Sequence, residues 1–140
     1  MNFIEKAERK SRGRAILFYL LAITLLASAI LAIGTHSEGA ARLAPWFVMI
    51  GLTALNLTSL PFHGKACGEV SKLMNDETTR DHRRSSFAAG FWAMFAAATA
   101  TMIVAALWPL SAIDISRVII TAGLMAALVA FATLELRASR

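Results

Sequence analysis

Residues 87–108 read FAAGFWAMFAAATATMIVAALW, a run of 22 residues without a charged side chain. The hydrocarbon core of a bilayer is about 30 Å thick, and a helix needs about 20 residues to cross it. The run therefore predicts a transmembrane helix. Pro109 follows directly and favours a helix end at this point, because proline lacks the backbone N–H that a helix interior uses.

Three further apolar runs have lengths that suit a membrane span: residues 15–34, 43–60 and 114–134. The uncharged part of the last run is residues 118–134, and the run is long enough to cross the bilayer core only with the residues before this part. The first could instead be a signal peptide, but the apolar region of such a peptide is about 7–15 residues long. We therefore expect a retained helix there. The four runs predict an all-α membrane protein, a single domain over residues 1–140 built as a bundle of four transmembrane helices.

The composition agrees with this class. Hydrophobic residues make up 57% of the chain and charged residues 16%, with a mean hydropathy of +0.60. Soluble domains contain about 45–50% apolar and about 25% charged residues. The excess of apolar residues excludes an ordinary soluble domain, and it also excludes a disordered chain.

Lysine and arginine are distributed unevenly along the chain. Of 14 such residues, 12 lie in the N-terminal tail, the loop 61–86 or the C-terminal tail, and only Arg42 and Arg117 lie in the other two connections. Basic residues accumulate on the cytoplasmic side of membrane proteins. We therefore expect both termini and the loop 61–86 to be cytoplasmic, in a bacterial inner membrane. The net charge of +5 is then explained by the membrane topology, and we expect no nucleic-acid partner. The basic residues also attract anionic lipid headgroups.

Two tryptophans support this orientation. Trp46 and Trp108 lie at the predicted outer ends of the second and third spans, where an aromatic belt is expected. Trp92 lies about one turn inside the cytoplasmic end of the third span. The sequence thus predicts interfacial anchoring for Trp46 and Trp108.

Small residues recur every four positions in the third span, and they predict a packing face because small side chains let helix backbones approach closely in lipid. The pattern favours packing within the bundle, with contact between copies in a homo-oligomer as the alternative. Its central members are Ala89, Ala93, Ala97 and Thr101.

Asn56 is the one strongly polar side chain inside a predicted span. Its amide could form a hydrogen bond with a hydroxyl group on a neighbouring helix, a contact worth about 0.6 kcal/mol on average. A role in contacting a transported substrate is the alternative.

Ionisable residues are missing from the middle of every predicted span. Proton relays and ion pathways normally need such residues inside the bundle. His36, His63 and His82 fall in loops, and Cys67 is the single cysteine, so no ligand set with metal-site spacing is present. We therefore expect no enzyme activity, no cofactor and no metal site.

The loop 61–86 holds most of the remaining polar chemistry. Asn75 or Asp76 could cap a helix that runs on into the third span, with Glu77 in its first turn. The basic side chains could pair with acidic neighbours along this helix, or they could contact a cytoplasmic partner or anionic headgroups. The candidate contact residues are Lys72, Arg80, Arg83 and Arg84.

Asp76-Glu77-x-x-Arg80, followed by Gly90-Phe91-Trp92, resembles small four-span bacterial inner-membrane proteins of uncharacterised families that carry an Asp-Glu-x-x-Arg run before the third span. The resemblance covers fewer than 20 of the 140 residues. Some of these proteins look like membrane partners of small transcriptional regulators. The resemblance therefore implies an interaction role.

Two functions follow from the sequence as expectations. The first is a non-enzymatic interaction or regulatory protein that acts through the basic cytoplasmic loop. The second is a small transporter or channel subunit without an ionisable membrane site, supported by Asn56 and the small-residue pattern.

Overall fold

The computed structural model describes the backbone of residues 3–34, 40–58 and 77–138, and the side chains of 12–34, 43–58 and 80–138. These residues form four α-helices: α1 (Phe3–Gly34), α2 (Ala40–Thr58), α3 (Glu77–Leu107) and α4 (Ala112–Ala138). The described part of the chain is all-helical, as the sequence predicts. The predicted capping residues of α3 and Lys72 lie outside the described residues.

Two helices begin well before their apolar runs. α3 begins at Glu77 and continues without a break into the predicted third span, and α1 begins at Phe3 and includes the basic N-terminal segment. In both helices a charged part of several turns therefore precedes the apolar part. The predicted loop 61–86 is correspondingly shorter, since its last ten residues belong to α3.

A short connection joins α3 to α4. The last turn of α3 closes with a hydrogen bond from Trp108 N to Val104 O at 2.9 Å, and Pro109 follows. Ser111 caps α4, because its hydroxyl oxygen accepts a hydrogen bond from the backbone N–H of Ile113 at 3.3 Å. So short a connection between two long helices that pack together makes them antiparallel neighbours.

α4 is the central helix of the bundle. It packs extensively against α3 on one side and α1 on another, while α2 packs on α1 and makes a smaller contact with α4. In their most apolar windows, 39% of the residues of α4 are buried against 6% for α3. α4 therefore takes part in most of the contacts between helices, and α3 turns most of its surface outward.

The hydrophobic core joins α1 to α4. The rings of Phe18 and Phe131 meet edge to face, with centroids 5.1 Å apart and planes inclined by 68°, which is a favourable aromatic geometry. Around this pair lie mostly alanines, so the helices approach closely. The other members of the core are Ala15, Ala22, Leu57, Ala127, Leu128 and Ala132.

Three helices are long and apolar enough to cross a membrane: α1, α3 and α4, over Arg12–Gly34, Arg80–Leu107 and Ala112–Ala138. The apolar part of α2, Leu43–Thr58, is shorter than the usual span. The fold is thus a helical bundle of the membrane type, and a fourth span remains a prediction.

Candidate functional site

Charged side chains from α1 and α4 meet at the end of the bundle where α1 begins and α4 ends. Arg14 donates from Nε to Glu135 Oε2 at 2.8 Å, and from its terminal nitrogen to Glu135 Oε1. The side chain of Glu135 is only 9% exposed, against 26% for Arg14. The two residues form a bidentate ion pair, the geometry in which guanidinium and carboxylate bind most strongly.

An aromatic ring fixes the position of this guanidinium. The Arg14 guanidinium carbon lies 5.0 Å from the centroid of the Phe131 ring, within the range of a cation–π contact. Because Phe131 itself packs edge to face on Phe18, the ion pair is continuous with the hydrophobic core. Arg14 is therefore held by a carboxylate on one side and by a ring of the core on another.

A second arginine from α3 lies close to this pair. Arg83 interacts electrostatically with both Arg14 and Glu135. Its side chain is half-buried, and its Nε is buried without a hydrogen-bond partner among the residues that the structure describes. We call Arg14, Arg83 and Glu135 the arginine–glutamate cluster, and it carries one surplus positive charge.

Ser86 lies between Arg83 and the apolar part of α3. It is fully buried one turn after Arg83, and its hydroxyl donates to the backbone oxygen of His82 at 2.6 Å. This hydrogen bond within the helix satisfies the serine proton without any other partner. The first fully buried position after Arg83 on α3 is thus a small, internally bonded side chain.

The other candidate contact residues of α3 differ from Arg83. Arg80 and Arg84 are exposed. The predicted set therefore divides into one arginine that faces the bundle and two that face outward, with Lys72 outside the described residues.

The opposite end of the bundle corrects two expectations. Arg117 lies inside α4, within the predicted span 114–134, and is 2% exposed, although the count of basic residues assigns it to an outer connection. Its guanidinium donates to the Asp114 carboxylate at 3.4 Å. Trp46, expected at the lipid interface, is 5% exposed, because the indole lies on the inward side of α2. Trp108 and Trp92 are exposed.

Arg117 and Glu135 bracket the uncharged part of α4. They are 18 positions apart, or about 27 Å along a helix. This length is close to the thickness of a bilayer core, about 30 Å. Both residues form an ion pair, which is how charges near the ends of membrane helices are usually accommodated.

Asn56 does not form the predicted bond to a neighbouring helix in the part of the chain that the structure describes. The side chain is exposed, and its amide nitrogen donates to Leu52 O of the same helix at 2.8 Å. The geometry therefore places this amide on the outer surface of α2.

α3 and α4 approach each other closely at two glycines, Gly90 and Gly123. A Cβ added to Gly90 would lie 2.9 Å from the backbone oxygen of Gly123 and 3.0 Å from Ala127 Cβ. Gly90 is buried, as is Ser86 one turn earlier, whereas the predicted small-residue positions are only half-buried. These positions are Ala89, Ala93, Ala97 and Thr101.

A shallow groove of about 200 Å³ lies near the same end as the cluster. It is lined by Tyr19 of α1 and by Thr133, Leu136 and Arg137 of α4. The Thr133 hydroxyl already donates to backbone oxygens of its own helix. The groove thus offers a phenol and one exposed arginine over an otherwise apolar floor.

Metal-ligating side chains do not gather anywhere in the described ranges. No group of three histidine, cysteine, aspartate or glutamate residues is found within them. His36, His63 and Cys67 lie outside those ranges.

Comparison with known protein families, characterised proteins and solved structures gave no match to this chain. The candidate site therefore rests on its own geometry.

Glu135 is the functional candidate that the sequence analysis missed. A signal was present, because Leu128, Phe131 and Glu135 follow one another at spacings of three and four and so share one face of a helix. A carboxylate at the end of a buried apolar face predicts a cationic partner. Nothing in the sequence identified Arg14 as that partner.

Proposed function

We propose that this chain is a non-enzymatic protein of the bacterial inner membrane, with four spans and both termini in the cytoplasm. It binds or regulates a cytoplasmic protein partner through its basic cytoplasmic loop and through a basic face formed by Arg80 and Arg84, and Lys72 of the loop is a further candidate contact residue. The two arginines project from α3 where the helix leaves the membrane. The resemblance of the Asp-Glu-x-x-Arg run to small four-span proteins agrees with such a role.

The observation that carries this proposal is that α3 consists of a charged part with exposed arginines and a long uncharged part. Arg80 and Arg84 are exposed, and no described residue pairs with them, whereas the helix after Ser86 carries no charged residue up to its end. Exposed cations that have no ion-pair partner among the described residues supply charge complementarity to an acidic surface and accelerate the association of that surface with the protein. The most deeply buried charged residues of the described helices, Glu135 and Arg117, by contrast form ion pairs within the bundle.

A photo-crosslinking amino acid placed in the full chain tests the proposal in intact cells. At positions 80 and 84 we expect a discrete protein adduct of defined mass. At position 103, where Ile103 is exposed on the apolar part of α3, we expect no protein adduct of that mass. Arg80→Glu combined with Arg84→Glu should abolish an adduct formed from the neighbouring position 81.

Two results would contradict the proposal. One is equal adduct formation at positions 81 and 103. The other is an adduct at position 81 that persists after both charges are reversed. Circular dichroism of the purified double variant serves as the folding control, since both side chains are exposed and their replacement should leave the helices intact.

The alternative of a small transporter or channel subunit receives less support. Its main candidate residue, Asn56, is exposed and bonded to its own helix, so it faces no space between the described helices. The buried interface of α3 and α4 is closed by the Gly90–Gly123 contact.

A further inference from the structure

The arginine–glutamate cluster is incompletely neutralised. Two guanidinium groups share one carboxylate, and both oxygens of Glu135 accept hydrogen bonds from Arg14. Arg83 lies close enough to interact with both residues, yet its Nε–H is shielded from solvent without an acceptor among the described residues. A buried cationic donor that lacks an acceptor is unfavourable. Among the described residues the site therefore lacks one negative charge and one hydrogen-bond acceptor, both of which an anion beside Arg83 would supply.

The position of Arg83 on α3 indicates the kind of anion. Phe87, Phe91 and Phe95 follow it at successive spacings of four residues, so they form a row that begins beside Arg83 and turns about 40° around the helix at each step into the apolar part. All three rings are exposed, at 45%, 63% and 60%. A cation at the head of an exposed apolar stripe matches a molecule with an anionic head and a hydrocarbon tail.

Phosphate suits this donor better than other membrane anions. A guanidinium group presents several N–H donors in a planar fork that matches the oxygens of phosphate. Anionic phospholipids are abundant on the cytoplasmic surface and attract basic residues there. We infer that Arg83, beside the Arg14–Glu135 pair, binds the phosphate of an anionic phospholipid whose acyl chain lies along Phe87, Phe91 and Phe95.

This site is separate from the basic face of the proposed function. It uses the arginine that faces the bundle, whereas the basic face uses arginines that face outward. The inference shares with the proposed function only the placement of this end of the bundle at the membrane surface. Loss of protein capture and loss of lipid binding are therefore independent results.

Titration of the purified full chain with lipid, read by native mass spectrometry, tests the inference. The probes are phosphatidylglycerol and the zwitterionic phosphatidylcholine of the same chain length. We expect the wild-type chain to bind phosphatidylglycerol more tightly. Arg83→Gln should weaken that binding about tenfold, the effect expected for losing a charge-assisted hydrogen bond.

The matched control is Arg137→Gln, which removes the same charge from an exposed position at the same end of the bundle. Its effect should remain below about twofold, as expected for a solvent-screened charge. Arg83→Lys keeps the charge but lacks the planar guanidinium group, so its binding of phosphatidylglycerol should be intermediate between that of the wild type and that of Arg83→Gln. It also keeps the test decisive if Arg83→Gln fails to fold.

A third arm separates a lipid from a soluble phosphate. Inorganic phosphate, added at the ionic strength of a chloride control, should not raise the thermal midpoint of the protein as phosphatidylglycerol does. Equal stabilisation by inorganic phosphate would overturn the assignment to a lipid. Equal binding of the two lipids, or unchanged phosphatidylglycerol binding in both Arg83 variants, would overturn the site itself.

Discussion

Gly90 of α3 and Gly123 of α4 pack so closely that a Cβ on Gly90 would lie 2.9 Å from the backbone oxygen of Gly123. Helices in lipid gain from van der Waals contact between backbones, and small residues make that contact possible. The pair therefore holds α3 against the central helix. On the opposite side of this contact, the large side chains of α3 turn outward.

Replacing Gly90 by alanine should destabilise the bundle. The added methyl group meets a backbone atom, which cannot rotate away, so we expect a loss of about 1–3 kcal/mol, typical of overpacking. The measurement is unfolding in detergent, followed by circular dichroism. Gly51→Ala is the control, because a Cβ there meets nothing within 4 Å. Equal destabilisation by both variants would contradict the close contact.

The ion pair of Arg14 and Glu135 should show strong coupling in a double-mutant cycle. Arg14→Gln and Glu135→Gln each leave a partly buried partner, so we expect each to cost about 1–3 kcal/mol, between the values for exposed and fully buried pairs. The double variant should cost less than the sum of the two. Strict additivity of the unfolding free energies would show that the pair does not form.

Thr53 of α2 carries a fully buried hydroxyl without a hydrogen-bond partner in the described ranges. Thr53→Val removes this polar group at nearly constant volume, so we expect stability to be unchanged or raised by about 1 kcal/mol. Thr133→Val is the matched control, since that hydroxyl donates to Val129 O at 2.9 Å, and this variant should not gain stability. A clear loss on Thr53→Val in the unfolding assay would indicate a ligand or water bound to the hydroxyl.

Asn56→Leu should leave the protein folded, with a stability change within about 0.5 kcal/mol, the usual range for exposed positions. The reason is that its amide bonds only to its own helix among the described residues. In proteoliposomes, any solute flux should be the same for wild type and variant. A flux that falls on this substitution would favour the transporter alternative over the interaction role.

The proposed topology makes Cys67, the single cysteine, a reporter of the cytoplasmic side. A membrane-impermeant maleimide should label it in inside-out vesicles but not in intact cells. Leu110→Cys in a Cys67→Ser background should show the reverse, because Leu110 is exposed in the connection between α3 and α4. Labelling of both positions from the same side would overturn the proposed arrangement of spans.

The helical elements follow from local properties of the sequence. Runs free of charge and close to 20 residues long indicate helices that can cross a bilayer, and this reasoning located the apolar parts of α1, α3 and α4. Asn75 and Asp76 lie outside the described residues, so the predicted cap of α3 stays a prediction. The apolar parts of these helices can therefore be predicted from the sequence, because each depends on residues that are adjacent in the chain.

The candidate site was much less predictable. The sequence pattern groups Arg83 with Arg80 and Arg84, although only Arg83 turns toward Arg14 and Glu135. Glu135 directly follows the last apolar run and resembles part of a polar tail, so the linear sequence gives it little weight as a site residue. The interaction of Arg83 with Glu135 depends on which side of α3 and which side of α4 face each other, and the linear sequence does not specify these sides.

The sequence by itself determined that this chain is apolar and helical, with its basic residues unevenly distributed between the helix ends. Only the tertiary structure decided that Arg14 meets Glu135, 121 positions away, and that Trp46 turns inward. The physical reason is that lipid tails are as apolar as the protein interior, so a membrane helix is hydrophobic on every side. The contrast that marks the buried face of a soluble helix is absent, and only packing between the helices selects that face.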